Sequence, residues 1–118
     1  MVKPEIVGGN LVLTVEGADK FFALKSQLVI PLVHIVDVRL DDEIVKRWWR
    51  GIKFPGTNLP GVITAGSFYQ DGKRIFWDIH HPEFAVVISL THESYNELVI
   101  EVEDPRSFIR DLYAVRKP

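Results

Sequence analysis

Apolar and polar positions alternate along most of this chain. In NLVLTVE (Asn10–Glu16), Leu11, Leu13 and Val15 share one face while Thr14 and Glu16 occupy the other, the period-two pattern of a half-buried strand. QLVIPL repeats it with Leu28, Ile30 and Leu32, and HIVDVRL with Val36, Val38 and Leu40. Pro31 lacks an N–H, so it marks an edge, a bulge or the corner between these two strands. VITAGSFY and RIFWDIH flank QDGK, in which Asp71-Gly72 is the two-residue loop that a type I′ hairpin favours. In the return strand Ile75, Trp77 and Ile79 are predicted to face the core, and Arg74, Phe76, Asp78 and His80 to face outward. AVVISLT and LVIEVE form a second hairpin around the polar turn HESYNE.

Period 3.6 replaces period two at the C-terminal end. In EDPRSFIRDLYAVRKP, Asp104 stands at an N-cap position and Pro105 at the first helical position, where its missing N–H costs nothing. Phe108, Ile109, Leu112 and Val115 then fall on one helical face, and Arg116 and Lys117 suit the C-terminal end of the dipole. Residues 18–25 read either as a short helix capped by Asp19 or as a strand through KFFAL. A brief helix is predicted through DDEIVKRWW.

Seven strands and a terminal amphipathic helix predict a mainly β fold, a small barrel or sandwich with one open end plugged by that helix. This order resembles the pleckstrin-homology superfold. Two stretches are similar to its bacterial branch, the bacterial PH-like domain family: VIPLVHIVDV (Val29–Val38), a corner where one strand ends at Ile30-Pro31-Leu32 and the next begins near Ile35, and LVIEVEDPRSFIRDL (Leu98–Leu112), a last strand leading through Asp-Pro into the capping helix. The Pro/Gly-rich connection at about 41–61 departs from a simple member, and FPG…LPG…G resembles a small group of uncharacterised bacterial proteins. The resemblance implies a seven-stranded PH-like module that binds or scaffolds rather than catalyses, and it names no ligand, because this superfold hosts unrelated partners.

Composition narrows the classes. The 118 residues fit a single domain, 1–118, and 47% apolar with 25% charged residues is globular usage. A formal charge of −2 exerts no broad attraction on nucleic acid, and none is expected as a partner. The absence of cysteine removes disulfides, thiolate metal sites and cysteine nucleophiles, and it fits a cytoplasmic location. The longest apolar stretch, LVIPLVHIV, is interrupted by Pro31 and His34 and is shorter than a membrane helix. MVKPEIVGGN carries no hydrophobic signal core, so the expectation is a chain that is not secreted.

Catalytic motifs are sparse. His80-His81 point to opposite faces of a strand, so the pair cannot share a metal, and no metal or cofactor is expected. Ser67, Ser89, Ser94 and Ser107 lack a nucleophile-elbow setting. Asp41, Asp42 and Glu43 read as the favourable negative start of a helix. GTNLPG lacks the Lys-Ser/Thr ending of a phosphate loop, and both Pro-Gly pairs read as type II turns feeding the central hairpin.

One stretch carries binding chemistry. In KRWWRGIK, Lys46, Arg47, Arg50 and Lys53 surround Trp48 and Trp49, the composition of an interfacial or phosphate-facing lip. The plainer reading packs one indole on the fold and pairs Glu43 with Lys46 and Arg47 along a solvated helix. Adjacent tryptophans share a helical face poorly, so one is expected at the surface or an interface. Three functions follow in order: a non-catalytic binding or scaffold domain engaging a protein partner or itself; a peripheral domain binding anionic membranes or ligands through this lip; and an enzyme whose site the sequence does not reveal.

Overall fold

A computed structural model describes residues 2–15, 27–40, 58–59, 63–70, 72–79 and 81–116. The order of elements is β1 (Val2–Val7), β2 (Asn10–Val15), β3 (Gln27–Pro31), β4 (Ile35–Leu40), β5 (Asn58–Leu59), β6 (Ile63–Gln70), β7 (Lys73–Ile79), β8 (Ala85–Leu90), β9 (Glu97–Glu101) and α1 (Pro105–Arg116). All seven expected strand segments are present as β2, β3, β4, β6, β7, β8 and β9. The described residues add two, β1 from the N-terminal VKPEIV and the two-residue β5.

Among the described residues the strands form two sheets and no closed barrel. One has the order β1-β2-β3, and the other β4-β8-β9-β7-β6-β5. The first is an antiparallel meander in which Leu11 opposes Ile30 and Leu13 opposes Leu28. In the second, β8 and β9 pair antiparallel as expected, but β9 also lies parallel to β7, with Phe76 opposite Leu98. The expected plug of a barrel mouth is therefore a helix packed against the core between sheets.

That core combines Val2, Leu11, Leu13, Val15, Leu28 and Ile30 from the small sheet with Val38, Phe76, Val86, Ile88, Leu98 and Ile100 from the large one. Phe108 and Leu112 of α1 join it, Ile109 packs at its margin, and Val115 stays exposed because the amphipathic face ends before it. Asp104 caps α1 as its sequence position implies: its Oδ1 accepts the Ser107 N–H at 3.1 Å.

Two face assignments differ from the alternation. The β4–β8 register shifts between Ile35 and Asp37, so Ile35 and Val38 are both buried while Val36 is exposed; Leu40, the last residue of the strand, is exposed as well. A bulge inserts one residue and moves everything beyond it to the other face. In β7, Phe76 rather than Ile75, Trp77 and Ile79 enters the main core, where its ring meets Tyr95 edge-on at 5.7 Å between centroids. Ile75, Trp77 and Ile79 form a second cluster with Ala85, Val87 and Val99 on the opposite face of the sheet. Both faces of β7 are buried, so alternation along it does not separate core from solvent. Asp78, expected outside, is fully buried, and Tyr95 of the expected polar turn is buried as well.

The alternatives at 18–25, the helix through Asp41–Trp49 and both Pro-Gly turns lie outside the described residues. Within the 41–61 connection, Asn58 and Leu59 pair with Thr64 and Ile63.

Candidate functional site

Beside the cap of α1, the fold leaves a groove of about 450 Å3. One wall is β1, an outer strand of its sheet among the described residues, which contributes the successive residues Lys3, Pro4, Glu5 and Ile6. Successive residues can line one wall because the groove faces the strand's edge rather than one side of its pleat. Val102, Glu103 and Asp104, which leave β9, and Ser107, Phe108 and Asp111 on the first turns of α1 make the other wall.

The floor is apolar and the rim acidic. Val102 and Phe108 are buried, and Pro4 and Ile6 half-buried. Glu5, Glu103, Asp104 and Asp111 are exposed, and Lys3 is the single cation among the described lining residues. Asp104 is committed to the helix cap, and Asp111 lies 3.7 Å from Arg110 Nε. Among the described residues Glu5 and Glu103 have no ion-pair partner. Ser107 supplies the groove's hydroxyl, which accepts a hydrogen bond from Arg110 Nη2 at 3.1 Å, with no histidine among the described lining residues to act as its base. The arrangement suits recognition of a ligand with an apolar body and positive charge.

Other polar clusters brace the fold. Arg39 lies 3.2 Å from Asp37 Oδ2 and 3.5 Å from Glu97 Oε2, and it donates to Ser89 Oγ at 3.2 Å, tying β4, β8 and β9 together. Lys73 approaches the other Glu97 oxygen at 3.7 Å. His34 Nδ1 meets Glu93 Oε2 at 2.5 Å, and its ring lies 5.8 Å from that of His92, a residue held at φ +59°. No group of three or more metal-ligating side chains occurs among the described residues. His81, half of the adjacent histidine pair, is engaged by Glu101.

Lys46, Arg47, Trp48, Trp49, Arg50 and Lys53, the residues of the basic-tryptophan lip, all lie outside the described residues. The groove was not foreseen from the sequence. Its walls come from opposite ends of the chain, and the local signs were small: a proline in VKPEIV that marks an outer strand, and the carboxylates of EDP. No helix among the described residues is long and apolar enough to cross a membrane. Comparison with known proteins finds no matching family model, no similar curated protein and no similar solved structure.

Proposed function

We propose that this chain is a non-catalytic binding domain that engages a protein partner or a second copy of itself. The groove between β1 and α1 carries this reading: it is open, has an apolar floor, and bears Glu5 and Glu103, which have no ion-pair partner among the described residues. An apolar floor with charged groups at its margin is the anatomy of a recognition surface. The order of seven predicted strands followed by a capped helix supports kinship with bacterial PH-like domains, whose members bind or scaffold, and a cytoplasmic setting fits the cysteine-free sequence.

The composition of Lys46–Lys53 favours a second reading, a peripheral domain on anionic membranes. Each basic residue near such a surface is worth about 1 kcal/mol, so the four supply weak attraction unless an indole inserts. That magnitude keeps the protein partner first.

Affinity purification of the tagged chain from its own cells, followed by reconstitution from purified components, tests the first reading. A partner that rebinds at defined stoichiometry, or a concentration-dependent dimer in sedimentation, supports it. A monomer that rebinds nothing and cosediments with anionic but not neutral vesicles, an affinity lost on charge reversal of Arg47, Arg50 and Lys53, replaces it with the second.

A further inference from the structure

We infer that the groove between β1 and α1 takes a short extended cationic segment of a partner protein, one whose Arg or Lys side chains alternate with apolar ones. This inference rests on the binding-domain reading and adds the chemistry of the ligand. Its first support is the backbone of β1. Pro4 stands opposite Leu13 in the β1–β2 ladder. Having no N–H, Pro4 fits the non-hydrogen-bonded type of antiparallel pair, so its carbonyl, and by alternation that of Ile6, points away from β2 to the side on which β1 has no strand partner among the described residues. That side offers carbonyl acceptors at both positions and one backbone donor, the Ile6 N–H, since Pro4 has none.

The second support is the rim. Glu5 and Glu103 add acceptors and negative charge; Asp104 is engaged in the helix cap and Asp111 is approached by Arg110, and Lys3 is the single cation among the described lining residues. A groove rich in acceptors and poor in donors favours a ligand rich in donors and without acceptors of its own, which describes guanidinium and ammonium groups. The third support is the floor. Pro4, Ile6, Val102 and Phe108 can cover apolar side chains and the methylene stems of Arg or Lys, leaving the charged heads at the rim. Pro4 also interrupts strand addition along this edge, so side chains rather than a continuous backbone ladder hold the ligand. That arrangement selects for charge and keeps the edge from pairing with indiscriminate strands.

The test uses the full chain and two labelled, end-capped hexapeptides, one alternating Arg with Val and one alternating Glu with Val. The Arg peptide is expected to bind, with affinity falling as salt rises, and the Glu peptide is not. The double variant Glu5→Lys, Glu103→Lys is expected to weaken the Arg peptide by about tenfold or more, since each reversal turns an attraction into a repulsion at an exposed site. Thermal melting shows whether that variant remains folded, and Glu5→Gln with Glu103→Gln gives a milder, intermediate loss. Chemical-shift changes are expected on residues 3–6 and 102–111. Equal binding of both peptides, unchanged affinity in the folded variants, or shifts confined to another surface overturns the inference. A natural partner that binds the wild-type chain and the Lys variant equally removes the groove's role while leaving the binding-domain reading intact. A chain with no partner and no self-association removes that reading itself.

Discussion

The carboxylate of Glu101 holds both the backbone and the ring of His81: Oε1 accepts the His81 N–H at 2.6 Å, and Oε2 lies 3.2 Å from Nδ1. Glu101 is 1% exposed at the end of β9, and the His81 carbonyl in turn accepts the Phe84 N–H at 3.0 Å. A buried carboxylate on a central strand therefore fixes the turn that carries the chain from β7 into β8.

Glu101→Ala is expected to cost about 1.5–3 kcal/mol, because it removes a charged acceptor and strands a backbone donor. Glu101→Gln keeps one acceptor and should cost less. His81→Ala keeps the backbone N–H and loses only a largely exposed ring, so its cost should stay below about 1 kcal/mol. Urea unfolding of the three variants checks this order, and equal losses for Glu101→Ala and His81→Ala would show that the ring, not the backbone, matters.

Phe108 joins the core between the sheets from the second turn of α1, with Leu112 one turn later. Phe108→Ala should cost about 3–5 kcal/mol, a large share of the stability of a domain this size. Calorimetry provides the measurement. A melting temperature within a degree or two of the parent would mean that α1 does not close the core.

Gly72 sits at φ +77° in the connection whose flanking residues, Gln70 and Lys73, pair across the β6–β7 hairpin. A Cβ placed there meets nothing within 4 Å, so the cost of substitution is backbone strain without a clash. Gly72→Val is expected to lose about 1–2 kcal/mol, whereas Gly72→Asn should lose clearly less because Asn tolerates the left-handed region. Matching denaturation midpoints for the two variants would contradict this.

The Tyr113 hydroxyl donates to the Val38 carbonyl at 3.2 Å, linking α1 to β4, with Asp37 Oδ1 at 3.5 Å. Tyr113→Phe leaves the ring and deletes that link. The expected loss is about 0.5–1.5 kcal/mol, accompanied by faster amide exchange in the last turns of α1. Unchanged exchange there would show that packing alone anchors the helix.

Local pattern was enough wherever one residue's chemistry decides its conformation. The alternation in NLVLTVE buried Leu11, Leu13 and Val15, the glycine after Asp71 took a positive φ, and Asp104-Pro105 began the helix where the cap implied. Such features depend on neighbours a few residues away, and the sequence displays those neighbours directly. The tertiary structure decided what depends on distant segments. Period two separates the two faces of β7, but it does not say which meets the main core when both are buried: Trp77 is buried as expected, but in the second cluster, and Phe76, expected outside, is buried in the main core. The bulge that turned Val36 outward is a property of the β4–β8 pair, since a register shift exists only between two strands. The groove is more remote still: Pro4 and Glu5 come to share one groove with Glu103 and Phe108 only because folding sets β1 beside α1.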